Sequence, residues 1–388
     1  MLVLGHLLQA LGYALMPLLP LYLQHLGGSR TDIGLIMATS ALGGLAVRPI
    51  VGWALDAVGR KPTLLFGTVC LSLGMALLYV VTDLGPLVYV VRLITGVGIG
   101  TLFTGYFAWA TDLIPVARRT EGIALFGISG LVPLAVGPFV QELGVAAEDL
   151  RWFFPLIGGV IALSLPVLLL MKEPAGRGAG SAPTGRAILA ALRSPAVWPV
   201  WLATVVFASA VATFMTFVVV SAEVRGIDHP ASVWLSYAAG AVLVRLVGAK
   251  LPDRLGTSNI IAPALGLYAI AMLLAASATS PTALLASGLF AGLGHGYCFP
   301  VLTSQVVSRV PDALRGSAMA MFTGLWDASA LLLTPLMGLV ADATDDASMF
   351  AFTTLFGLAG LVVWTVLEHL QTRAAERRAA STPHARRG

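Results

Sequence analysis

Runs of about 20 apolar residues, the length at which a helix spans the hydrocarbon core of a bilayer, recur twelve times along this chain. They lie roughly at 3–25, 32–55, 62–82, 86–111, 121–142, 152–171, 197–221, 231–251, 259–279, 283–307, 316–340 and 348–368. Backbone inside lipid has no water to bond to, so runs of this length must form helices packed against one another. The expected fold class is an all-α membrane protein with twelve transmembrane helices. Composition agrees, because 57% of the 388 residues are hydrophobic and only 11% are charged, against about 25% charged in soluble proteins. Met1 leads directly into apolar sequence with no charged n-region and no small-residue cleavage site, so a removable signal peptide is not expected.

Positive charge orients the runs. Arg60, Lys61, Arg118, Arg119, Lys172, Arg177, Arg186, Arg193, Lys250, Arg254, Arg309, Arg315 and five arginines after residue 372 fall on one face, and only Arg30, Arg151 and Arg225 fall on the other. Lysine and arginine are retained on the cytoplasmic side. Both termini are therefore expected in the cytoplasm, with the chain in a bacterial inner membrane. The formal charge of +4 is spread over short loops and the tail, so it does not describe a nucleic-acid surface. Cys70 and Cys298 sit inside apolar runs, with neither a disulfide framework nor metal-binding spacing, and no metal or other cofactor is expected. No Walker A sequence and no paired catalytic constellation occurs, which argues against an ATP-driven pump and against an enzyme.

A Gly-, Pro- and Ser-rich stretch around 172–196 has no apolar period and reads as a flexible linker. It divides the chain into a six-helix bundle at 1–171, a second at 197–368 and a basic tail at 369–388. The halves repeat in sequence: Arg48, Asp56 and Gly59 recur at constant offset as Arg245, Asp253 and Gly256. Gly96-Val-Gly-Ile-Gly100 recurs as Gly292-Leu-Gly-His-Gly296, and Pro115 and Arg119 as Pro311 and Arg315. Such duplication implies two six-helix pseudo-repeats with a binding site at their interface.

In the turn after the second run stands Gly52-Trp-Ala-Leu-Asp56-Ala-Val-Gly59-Arg60-Lys61. Gly52 lets a neighbouring helix approach closely, Gly59 permits the sharp reversal, and Arg60 and Lys61 suit a cytoplasmic loop. Asp56 needs a cation or a helix N-terminus as partner. The spacing resembles the signature of the major facilitator superfamily, G-x-x-x-D-x-x-G-R-K/R, with Ala57 where the family usually carries arginine. Gly248-Ala-Lys-Leu-Pro-Asp253-Arg254-Leu-Gly256 is a degenerate second copy. The resemblance implies a major facilitator fold, usually monomeric, that carries small molecules by alternating access. It also implies that Arg60 and Asp112 close the cytoplasmic side. The repeat symmetry brings helix 2 beside helix 11, so Asp56 is expected to dock near the start of helix 11, around Arg315 to Ser317, where its charge complements the helix dipole.

Arg92, followed by Thr95-Gly-Val-Gly-Ile-Gly100, resembles a second family motif associated with proton coupling. A guanidinium so near the start of its run could instead snorkel to the surface. Gly127, Gly130, Pro133 and Gly137-Pro138 should kink helix 5, and the Gly137-Pro138 pair partly resembles the antiporter motif of drug exporters, with Gln141 and Glu142 where glycines are usual. Asp327 lies near the middle of the eleventh run, where an ionised carboxylate is costly and proton uptake and release come within reach. A protonated Asp327 hydrogen-bonded to serine or a carbonyl is the structural alternative. His6, Gln9, Tyr13, Tyr106, His295 and Trp326 are further cavity candidates. The combined reading is a proton-coupled transporter exporting small amphiphilic molecules, with import of a sugar, organic acid or other metabolite as the alternative.

Overall fold

The computed structural model describes residues 1–13, 15–115, 119–173, 193–311 and 315–380. Side chains of Tyr13, Asp56, Arg119, Thr120, Gln141, Glu142, Asp253, Arg315, Ser317, Ala320 and 374–380 lie outside the description, as does most of the 172–196 linker. All regular secondary structure among the described residues is helical, and eleven of the described helices are long and apolar enough to cross a membrane. The twelve passes are α1 (Leu2–Ala10 with Leu19–His25), α2 (Arg30–Ala57), α3 (Arg60–Leu77), α4 (Pro86–Leu113), α5 (Arg119–Phe126, Ile128–Leu131 and Val136–Glu142), and α6 (Leu150–Ala162 with Ser164–Leu170). The second half follows as α7 (Trp198–Val224), α8 (Val233–Val247), α9 (Thr257–Ser277), α10 (Pro281–Ser308), α11 (Arg315–Ala343) and α12 (Asp346–Ala380).

Three passes differ from uniform rods. The first is interrupted by 3₁₀ turns at Leu11–Tyr13 and Met16–Leu18, where Pro17 and Pro20 deny the backbone two N–H donors. Helix α5 is broken at Gly127 and again by the 3₁₀ turn Val132–Ala135, which contains Pro133. Helix α12 runs beyond the apolar segment to Ala380, because good helix formers continue there without an interrupting proline or glycine.

The two halves pack alike. Helix α4 rests on α2 and α3, and α10 rests on α8 and α9 in the same way. Glycine makes both approaches possible. A Cβ on Gly96 would strike the Ser40 carbonyl oxygen, and one on Gly100 would stand 2.8 Å from the Gly44 Cα. In the second half a Cβ on Gly292 would strike the Tyr237 carbonyl oxygen, and one on Gly296 would stand 3.0 Å from that of Ala241. The turns also correspond, Gly59 with φ 118° and Gly256 with φ 86°, values that side chains rarely adopt.

Helices α2 and α11 join the halves along one seam. On the side opposite the basic loops, Asp342 of α11 accepts from the Arg30 and Thr31 backbone N–H groups at 2.9 and 2.7 Å, capping α2. The Arg30 side chain reaches Asp346 through Nε at 2.9 Å and Nη2 at 3.1 Å. Charge thus complements the positive end of the α2 dipole. At the other end of α2 the expected close approach at Gly52 is not found: among the described residues no atom lies within 4 Å of where its side chain would begin. The helices converge instead at Gly34, where a Cβ would stand 2.5 Å from the Thr334 carbonyl oxygen.

Overpacking sets a direct test. Gly96→Ala and Gly292→Ala should each lower stability by about 1–3 kcal/mol, read as a lower melting temperature of the purified protein in detergent. Gly159→Ala, at a position open on all sides, should leave it unchanged or raise it.

Candidate functional site

At the α2–α11 seam two charges meet inside the membrane-spanning region. Asp327 lies about 18 Å along α11 from Arg315 at 1.5 Å per residue, near the middle of the helix. Its Oδ2 accepts from Arg48 Nη2 at 2.6 Å and Nε at 2.7 Å. Arg48 Nη1 donates to Thr104 Oγ1 on α4 at 3.1 Å, and Thr104 in turn donates to the Gly100 carbonyl at 2.8 Å. Gly44 leaves room for the carboxylate, since a Cβ there would stand 3.1 Å from Oδ2. Gly44 and the Thr104 hydroxyl thus admit an ion pair between the halves. A guanidinium keeps its proton, so only the carboxylate can change charge.

Arg48 rather than Arg92 is therefore the partner of Asp327, and the serine alternative is not adopted. Arg92 is buried at 2% exposure instead of snorkelling. Its Nε lies 3.4 Å from the Ile36 carbonyl, Nη1 3.2 Å from Met16 Sδ and Nη2 3.7 Å from Met37 Sδ. Sequence reasoning noticed Arg48 only as a repeat match with Arg245. A guanidinium inside an apolar run was the signal that could have found it.

On the basic side, Arg60 Nε donates to Asp112 Oδ2 at 3.2 Å, joining the start of α3 to the end of α4. Arg60 also donates to the Leu55 carbonyl. Glu173 accepts from the backbone N–H groups of Arg60 at 2.6 Å and Lys61 at 2.9 Å, and Lys61 Nζ donates to the Leu169 and Met171 carbonyls at 2.6 and 3.1 Å. The docking of Asp56 near Arg315 to Ser317 lies outside the described side chains, as does Asp253. Arg254 is exposed.

Aromatic residues fill the centre. His6 Nδ1 is 2.7 Å from Ser129 Oγ on α5, with its ring against Tyr106 and Phe126. In the second half His295 Nδ1 is 2.6 Å from the Tyr237 hydroxyl, and its ring packs on Phe207, Phe299 and Trp326. Phe299 meets Phe103 and Phe107 of α4 at centroid distances of 5.9 and 5.7 Å, closing the centre across the halves. Gln9 Oε1, Tyr106 Oη and Trp326 Nε1 are buried without hydrogen-bond partners among the described residues. Gly137 and Pro138 fall in the last piece of α5. The side chains of Gln141, Glu142 and Tyr13 lie outside the description.

A family model described as the Major Facilitator Superfamily matches residues 2–271 and 231–387. An uncharacterized MFS-type transporter of Salmonella typhimurium is 25% identical over 361 residues, covering 89% of this chain and 90% of the relative. The uncharacterized MFS-type transporter YhhS of Escherichia coli is 27% identical over 356 residues, covering 87% and 84%. Among solved structures, a POT family transporter aligns with a TM-score of 0.79 at 14% identity, over 95% of each chain. The human organic anion transporter MFSD10 aligns at 0.71 with 18% identity, over 94% of this chain and 97% of that one. The Escherichia coli fucose:proton symporter FucP aligns at 0.68 with 18% identity, also over 94% and 97%. These structural likenesses show the fold.

The ion pair makes a stability prediction independent of transport. Arg48→Met strands the Asp327 carboxylate and should cost about 3 kcal/mol, whereas replacing both partners by apolar residues restores most of that loss. Melting temperatures of Arg48→Met and of Arg48→Met with Asp327→Leu check this. Equal losses in the two proteins would mean that the charges do not stabilise one another.

Proposed function

Because the chain belongs to the major facilitator superfamily, we propose that it is a proton-coupled secondary active transporter that exports small amphiphilic molecules by alternating access. The observation that carries this reading is the Arg48–Asp327 pair, a titratable carboxylate held by a permanent cation across the two halves. Ionised Asp327 binds α11 to α2. Proton addition leaves a neutral acid with no Coulombic hold on Arg48, so the halves can rock about the central site. When the rearranged protein hydrates Asp327 from the other side, the proton leaves and the pair re-forms. Arg92, a second fixed cation nearer the far end of the seam, is assigned to the same proton path.

The basic face is assigned to the cytoplasm on the positive-inside rule, in a bacterial inner membrane with both termini inside. Asp56, Arg60 and Asp112 serve there as the closing lock, with Gly52, Gly59 and Lys61 shaping the turn and Asp253, Arg254 and Gly256 its degenerate counterpart. The two six-helix units move as the rocking bodies of a monomer, and no enzymatic step is assigned.

Export is favoured by the aromatic side chains packed at the centre and by Gly137-Pro138 in the broken α5. Import of a sugar, organic acid or other metabolite is the second reading. It is favoured by the unpaired polar atoms of Gln9, Tyr106 and Trp326, which a polar substrate would satisfy.

Asp327→Asn keeps the shape of the protonated acid but cannot titrate. In proteoliposomes under an imposed pH gradient, with a panel of dyes, sugars and acids, uphill accumulation should vanish in this variant while downhill exchange persists. The direction of wild-type accumulation separates export from import. Gradient-driven accumulation in Asp327→Asn would place the proton elsewhere.

A further inference from the structure

We propose that Arg245 is the anion-binding residue of the central site, and that the transported molecule carries a carboxylate or another fixed anionic group. This rests on the transporter reading above and names its substrate class.

The inference comes from comparing the two copies of one arrangement. Arg48 and Arg245 occupy equivalent places on α2 and α8, beside the equivalent glycine contacts with α4 and α10. Arg48 is answered twice, by Asp327 and by Thr104. Arg245 is 3% exposed, yet among the described residues no hydrogen bond or ion pair reaches it, and its Nε has no partner. Such a cation cannot become neutral by losing its proton, and a buried charge is expected to be paired.

The missing counter-charge can be located. Helix α5 packs on α8 as α11 packs on α2. The offset that carries Arg119 to Arg315 carries Leu131 to Asp327, so leucine stands where the other half has its acid. One turn earlier Gly127 faces the guanidinium, and a Cβ there would strike Arg245 Nη1. Helix α5 therefore presents a glycine, against which the guanidinium lies, in place of a carboxylate. That contact lies at the seam between the halves, so alternating access, which parts the seam, would uncover the guanidinium to a ligand.

The surroundings suit an amphiphilic anion. Tyr237, about two turns before Arg245 on α8, is hydrogen-bonded to His295 at 2.6 Å. His295 stacks on Phe299 and meets Trp326. A carboxylate could take the planar N–H fork of Arg245, with an apolar body against these rings. The substrate then supplies at the α5–α8 seam the charge that Asp327 supplies at the α2–α11 seam.

Melting of the purified, detergent-solubilised protein tests this with matched probes: 1-naphthoate against 1-naphthamide, and octanoate against octanamide. The carboxylates should raise the melting temperature and the amides should not. Arg245→Gln should weaken the apparent carboxylate affinity more than tenfold, and Arg245→Lys should recover part of it. Leu131→Asp, which supplies an internal counter-ion, should raise the melting temperature of the ligand-free protein and abolish the carboxylate effect. Wild-type protein unmoved by either carboxylate, a shift reproduced by the amides, or a shift retained in Arg245→Gln would each overturn the proposal. No proton gradient is present in this assay, so failure of proton coupling at Asp327 leaves its outcome standing, and the two readings can fail separately.

Discussion

An ionised carboxylate deep in a membrane protein must be answered, and at Asp327 the answer comes from the other half of the molecule. The attraction is strong because little water screens it, and fragile because one proton removes it. Much of the neighbouring structure makes this meeting possible. Gly44 vacates the volume that the carboxylate occupies, Thr104 holds the remaining arm of Arg48, and the Gly96 and Gly100 contacts bring α4 close enough to α2 for Thr104 to reach. At the far end of the same seam, Asp342 caps α2 and Arg30 grips Asp346. Helices α2 and α11 are thus joined at mid-membrane and at one end by charge.

The internal duplication explains both what is alike in the halves and what is not. Close glycine contacts, positive-φ turns and the equivalent arginines are shared, because they build the scaffold of each six-helix unit. The counter-ion is not shared: α11 carries Asp327 where α5 carries Leu131. The α2–α11 seam therefore holds a carboxylate against its guanidinium, and the α5–α8 seam keeps a guanidinium that no described residue answers. Asymmetry built on a symmetric frame gives the two seams different chemistry.

Much of this was legible in the sequence because membrane spans and charge placement are local properties. The apolar runs located the passes, the Pro133 and Gly127 positions announced a broken α5, and the depth of Asp327 followed from counting along its run. Partner choice was not legible. Whether Asp327 meets Arg48 or Arg92 depends on the rotation and register of helices far apart in sequence, and neither is written in any local pattern. The same holds for Gly52, whose motif spacing suggests a close approach that the described residues do not make. The break in α1 has a local cause, in Pro17 and Pro20, but hydropathy alone passes over it because those residues interrupt the helix without making the run polar.

The central claim is that protonation of Asp327 releases the two halves from the arrangement described here. It is tested most directly by spin-label distances across the α2–α11 seam, measured in lipid nanodiscs as a function of pH. The account predicts that lowering the pH moves the wild-type distribution toward that of Asp327→Asn, while the variant itself shows no pH response at this seam. Identical pH dependence in the two proteins would contradict it.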